Sequence, residues 1–208
     1  MNSRLQEDIS MRLNVGIDGP VGAGKSTVLH ILEQEWNAFV LEADKVGHQV
    51  MEPGGCCYEA VVRLFGEQVI KNDKTIDRKK VSDVVFHVAE KRDALNQVIH
   101  PAVKKEIRER LAQEQENGRT LSVVEAALLL EDHYQEICDE IWAVCADREI
   151  RIQRLMENRG YSREKCESIM AAQKDDRYYK EQADFVVDNS TDPEKLREMV
   201  AERLRKIL

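Results

Sequence analysis

Hydrophobic residues follow two rhythms along this chain. Leu13, Val15 and Ile17 alternate with other residues, the period of a strand, and lead directly into the glycine-rich stretch GPVGAGKST. Beyond it the period becomes helical, with Val28, Ile31, Leu32 and Trp36 on one face. Short apolar runs at 38–41, 121–130, 141–145 and 185–187 read as further strands, the second ending near Ala127. Helical patterns lie between them. One is expected to start after His100-Pro101, with the proline at a first helical position, and to run through Val103, Ile107 and Leu111 to Asn117-Gly118. Another runs from Arg148 through Ile152, Leu155 and Met156 to Arg159-Gly160. The last opens on Asp192-Pro193 and places Leu196, Met199, Val200, Leu204 and Ile207 on one side. Five strands joined by helices predict an α/β domain with a doubly wound parallel sheet. The stretch from about 52 to 115 has no convincing strand and is too long for one crossover helix. It is expected to form a helical insertion that covers a substrate.

The whole chain, 1–208, reads as one domain, and its length suffices to bury a core without staples. Hydrophobic residues make up 42% and charged residues 34%, within the range of folded proteins that work in water. A formal net charge of −8 argues against a broad basic face for nucleic acid, although it leaves room for a local basic pocket. Cys56, Cys57, Cys138, Cys145 and Cys166 show neither a C-x-x-C pair nor metal-ligand spacing, so reduced thiols in the cytoplasm are expected. The opening MNSRLQEDISMRLN is polar and carries acids, unlike a leader, and no apolar run reaches the roughly 20 residues of a membrane span.

Gly19-Pro20-Val21-Gly22-Ala23-Gly24-Lys25-Ser26 matches G-x-x-x-x-G-K-[ST] without a mismatch. Its glycines let the backbone wrap an anion, and the helix that follows presents N–H groups and a positive dipole end to phosphate. Lys25 suits the β- and γ-phosphates of ATP, and the Ser26 hydroxyl suits Mg²⁺. A glycine-rich turn could match by accident, but this one follows a strand and opens a helix, as the P-loop NTPase fold requires. Glu42-Ala43-Asp44 ends the second strand on the carboxyl edge, where open α/β sheets bind ligands. Asp44 could orient a hydroxyl, accept its proton or help hold Mg²⁺; the plainer alternative is a solvated loop acid. Arg148, Arg151, Arg154, Arg159 and Arg163 cluster around one helix and its turn, either as cations for phosphoryl transfer or as a solvated face paired with Glu149 and Glu157. His30 and His87 read as surface or core filler, and His100 as a cap or a ligand contact.

Several segments taken together resemble the dephospho-CoA kinase family, whose activity is the last step of coenzyme A synthesis. EADKVGHQVMEPGG resembles the family's acidic segment and its E-P-G turn. YEAVVRLFGEQVI, DKTIDRKKVSDVVF and LNQVIHPAVKKEI resemble its substrate-side helices. RLMENRGYSREKCESIMAAQ is similar to its lid, here about 148–175, and ADFVVDNST to its final strand and turn. The resemblance implies ATP-dependent phosphorylation of the ribose 3′-hydroxyl of dephospho-CoA. By position, Gly22, Ala23, Gly24, Lys25, Ser26 and Thr27 would hold the ATP phosphates, with Asp44 the base. His100 and Arg78 would lie on the acceptor side. Arg154 and Arg159 would be lid cations, with Gln173 and Asn189 near the nucleotide. The chain departs from the family pattern at Glu42, at His48 and at Ala127, where Asp, a basic residue and Pro are usual. IDGPVGAGKST is also similar to the P-loop of cytidylate kinases, so a nucleoside monophosphate kinase stands as the alternative, beside a nucleotide-binding module without turnover. The partner implied is a small molecule, with neither nucleic acid nor membrane; oligomeric state is left open.

Overall fold

The structure is a computed structural model and describes residues 12–127, 129–190 and 192–208. Most of the polar opening segment, Leu128 in the turn around Ala127, and Thr191 lie outside the described residues. Five strands are formed: β1 (Leu13–Asp18), β2 (Phe39–Glu42), β3 (Leu121–Glu125), β4 (Glu140–Cys145) and β5 (Phe185–Asp188). They make one parallel sheet in the order β2-β3-β1-β4-β5. β1 lies in the centre and is covered on both faces, which explains its nearly continuous burial.

Alternate residues feed two cores. Val15, Ile17, Val123, Trp142 and Val144 pack beneath α1 (Lys25–Trp36) and α9 (Pro193–Ile207). Val124, Ile141, Ala143 and Cys145 face the other way, toward the helices inserted between β2 and β3. Those helices are α2 (Ala43–Val50), α3 (Tyr58–Phe65), α4 (Arg78–His87) and α5 (Ala89–Glu116). After β4 come α6 (Arg148–Arg159), α7 (Arg163–Ala171) and α8 (Asp176–Gln182) in the lid region. No helix among the described residues is long and apolar enough to cross a membrane.

Local signals stop several helices where the sequence predicts. The Asp192 carboxylate accepts from Glu194 N at 3.0 Å and Lys195 N at 3.1 Å, capping α9 ahead of its first-turn proline. Gly160 ends α6 at φ 63°, a left-handed conformation that glycine reaches without a Cβ penalty.

Three expectations are corrected. Pro101 does not begin a helix but lies inside α5, which starts at Ala89. The proline removes one N–H and crowds the Gln97 carbonyl. The helix continues through it because Leu95, Val98 and Ile99 pack on the same core as Val103, Ile107 and Leu111. β3 ends at Glu125 rather than Ala127, since the chain leaves the ladder to pass over the end of β1. Finally, the second strand, expected beside the strand that leads into the P-loop, is not its neighbour: the crossover through α2–α5 returns β3 between β2 and β1.

Candidate active site

The parallel register brings the strand ends together. Glu42 is paired with Glu125, and Glu125 with Ile17, so Asp18, Glu42 and Glu125 all end strands at the carboxyl edge. Above that edge lies a cavity of about 860 Å³, large enough for a nucleotide. Its floor is Gly22, Gly24, Lys25, Ser26 and Thr27; Glu42, Asp44 and Glu125 form an acidic wall, and Arg154 and Arg159 a basic one. A smaller cavity of about 380 Å³ opens off it past Ser26 and Glu42, toward Lys45 and Arg110.

Backbone geometry builds the floor. Gly24 caps α1 at φ 90°, and a Cβ there would collide with the Asn189 side-chain amide. No other residue fits this position without strain and displacement. The loop is held from outside by the chain that follows β4 and β5. Asn189 donates from Nδ2 to Ala23 O at 2.8 Å. Arg154 donates from Nη1 to the same carbonyl at 3.2 Å and from Nη2 to Asn189 O at 2.9 Å. Arg151, only 4% exposed, donates from Nε to Val21 O at 2.9 Å and from Nη1 to Asp176 at 2.7 Å. The Gln173 side-chain oxygen accepts from Val21 N at 2.9 Å. The lid and the P-loop are therefore one hydrogen-bonded unit.

Lys25 donates from Nζ to Gly19 O at 2.9 Å and lies 3.7 Å from Glu125 Oε1. Burial raises the Glu125 carboxyl above its usual value, and Asp44, Glu42 and Asp18 add to this, while Lys25 opposes it. Asp18 is fully buried, and burial pushes its carboxyl up to about 6 against two backbone N–H bonds and Lys25.

The predicted residues divide into two groups. Gly22, Ala23, Gly24, Lys25, Ser26, Thr27, Asp44, Arg154, Arg159, Gln173 and Asn189 are brought to this cavity or its wall hydrogen bonds. Asp44 is not a loop acid: it occupies the first turn of α2 and is exposed on the cavity side. Glu42, one residue before that helix, pairs with Lys45 at 2.5 Å. Arg78 and His100 do not line the cavity. Arg78 is exposed at the start of α4, behind the Asp77 cap. His100 lies inside α5, where it caps nothing, and its Nδ1 sits 3.1 Å from Asp132 Oδ2. Arg148 and Arg163 pair on the surface with Glu149, as the plainer alternative has it, but with Glu167 in place of Glu157, whose carboxylate accepts from Gln153 Nε2.

Asp18, Glu125 and a structural role for Arg151 were not singled out by the sequence. The available signal was a polar residue ending an apolar strand, which the eye takes for the strand's limit. The five cysteines are free, and the Cys56 and Cys57 sulfurs lie 3.9 Å apart. Among the described residues no cluster of His, Cys, Asp and Glu forms a ready metal cage.

The comparisons cover all of these parts. The chain is 35% identical over 192 residues to the dephospho-CoA kinase of Carboxydothermus hydrogenoformans, covering 92% of this chain and 93% of that one. With the Geobacter sulfurreducens dephospho-CoA kinase it shares 34% over 188 residues, or 90% of this chain and 95% of the relative. Its structure is similar to that of a Thermus thermophilus protein, with a TM-score of 0.81, 28% identity, and coverage of 95% and 98%. An Acinetobacter baumannii shikimate kinase solved with shikimate shares the fold alone, at a TM-score of 0.54 and 15% identity over 95% and 94% of the two chains. The family model described as dephospho-CoA kinase matches residues 13–194, from β1 through insertion and lid to the cap of α9. The P-loop and the helices around it thus agree with the sequence comparisons, and the chain is a kinase that belongs to the dephospho-CoA kinase family.

Proposed function

We propose that the protein transfers the γ-phosphoryl group of ATP, with Mg²⁺, to the ribose 3′-hydroxyl of dephospho-CoA. The observation that carries this reading is a single cavity in which Lys25 and Ser26 face the acidic wall that bears Asp44. The P-loop amides and Lys25 hold the phosphates, as the motif's geometry suits. Asp44 lies across from them, where it orients the acceptor hydroxyl and takes its proton. Arg154 and Arg159 neutralise charge that spreads over the transferred group. Arg154 is already fixed through Ala23 and Asn189, so it needs little reorganisation to act.

The residues fit a magnesium ion. Such an ion keeps several waters and binds through phosphate and few protein groups, so a hydroxyl beside carboxylates suits it better than a closed cage. Ser26 would hold it, and the ion would draw charge from the β- and γ-phosphates. Glu42, Asp44 and Glu125 can accept hydrogen bonds from its waters.

The insertion, with Arg78 on α4 and His100 on α5 paired to Asp132 of the loop after β3, offers groups for parts of a long acceptor away from the reacting hydroxyl. This favours dephospho-CoA over a small nucleoside monophosphate, as does the family match through the insertion. The free thiols suit a reducing compartment, in keeping with work in the cytoplasm.

The test is ADP release with Mg·ATP and, in parallel, dephospho-CoA, CMP, adenosine or pantothenate. Dephospho-CoA should be turned over fastest, with conversion to CoA confirmed by mass, and chelating the magnesium should stop the reaction. A clear preference for CMP would reject this reading. Binding of ATP with no product from any acceptor would point to a module without turnover.

A further inference from the structure

Neither the P-loop motif nor the family resemblance gives Asp18 a role, yet its carboxylate joins two parts of the site. Oδ1 accepts from Gly19 N at 2.7 Å, and Oδ2 accepts from Leu130 N at 3.3 Å. Gly19 opens the P-loop, and its carbonyl receives Lys25 Nζ. Leu130 lies in the loop after β3, whose Ala127 lines the cavity and whose Asp132 pairs with His100. A path of hydrogen bonds therefore runs from Lys25 through Gly19 and Asp18 to the acceptor-side loop.

We propose that Asp18 is a positioning residue whose ionised carboxylate clamps the first peptide of the P-loop to the loop after β3, fixing Lys25 relative to the acceptor. This deepens, and rests on, the kinase reading above. The two N–H donors reach different oxygens of Asp18, and an ionised carboxylate accepts at both. A protonated acid or an amide keeps one acceptor, and its second group can turn a hydrogen toward a donor. Asp18 is expensive to keep ionised because it is fully buried. The groups facing it are Lys25 of the P-loop, Glu125 at the end of β3, Glu131 of the following loop, and Tyr178 and Tyr179 of α8. Burial and Glu131 raise its carboxyl to about 6, so acidification toward that pH withdraws one arm of the clamp. Glu131 Oε2 is buried without a hydrogen-bond partner among the described residues.

The experiment compares wild type with Asp18→Asn from pH 5 to 8.5, with kcat and KM read separately for ATP and dephospho-CoA. Wild-type kcat should fall as a single proton binds near pH 6. Asp18→Asn should lack that inflection and stay low at every pH, with kcat at pH 8 reduced by roughly 100-fold, the cost of an ångström-scale misplacement. KM should change much less. A variant with near-normal kcat at pH 8, or one that keeps the inflection, would overturn the proposal. A measurement on the wild type guards against a variant that fails to fold: the Gly19 and Leu130 amide resonances should titrate together near pH 6. If they stay fixed between pH 5 and 7.5, the clamp is wrong. A wild type inactive on dephospho-CoA would sink the proposed function instead, and the amide titration, which needs no acceptor, would still decide the clamp.

Discussion

Lys25 is held in place before any phosphate arrives, by the Gly19 carbonyl at 2.9 Å and by Glu125 at 3.7 Å. Nucleotide binding then exchanges Glu125 for phosphate oxygens while another of the ammonium's three donors keeps the Gly19 carbonyl, and little side-chain freedom is lost at that moment. Lys25→Ala should lower turnover about 100-fold or more, the usual effect of losing one charge-stabilising group in a preorganised site. Circular dichroism should show the fold intact. Two further substitutions test the acidic wall. Asp44→Asn removes the proton acceptor while keeping size, so kcat should drop about 10²–10⁴-fold with ATP affinity little changed. Glu42→Gln should do less, because that carboxylate is paired with Lys45. A larger loss at Glu42 would move the base to that residue, and equal losses of ATP affinity in both variants would assign the pair to the metal's water shell. The P-loop was legible in the sequence from its pattern and its place between a strand and a helix, and the position of Asp44 at the cavity from its place after the second strand. Asp18, Glu125 and Arg151 were not, since burial depth and convergence between distant segments leave no period along the chain.

Among the elements, α9 is the one whose limits are written most plainly in the sequence. Asp192 accepts two first-turn N–H groups, Pro193 follows, and Leu196, Val200 and Leu204 repeat on the buried side. Removing the cap isolates its contribution: Asp192→Ala should cost about 1 kcal/mol. Urea unfolding should show a lower midpoint with an unchanged slope. α5 shows the opposite case. A proline within a pattern is the strongest local sign of a boundary, yet here partly buried side chains before Pro101 and buried ones after it outweigh one missing hydrogen bond. Propensity is a local quantity, and the stripe running from Leu95 to Leu111 is a tertiary one. Strand lengths failed for a similar reason at β3, where apolar residues continue past Glu125 because they pack beneath a loop rather than in a ladder.

At the scale of the molecule, the five parallel strands and the helical insertion were legible from the count and spacing of apolar runs. Strand order was not, because nothing in a run of valines names its neighbour. That order also divides the labour. Helices inserted between β2 and β3 carry Asp44, Arg78 and His100, and the chain after β4 and β5 holds the P-loop from the other side. The order has a consequence during synthesis as well. β1 is made well before either of its ladder partners: Leu13 pairs with Leu121, and Val15 with Glu140. A ribosome adding about 5–20 residues per second needs several seconds or more to reach them. Throughout that interval the nascent chain carries an apolar strand with two open edges, followed by a loop built for anions that has no sheet beneath it. β1 thus waits until β4 for both of its neighbours, and for those seconds only the helix that follows it can cover its apolar side chains.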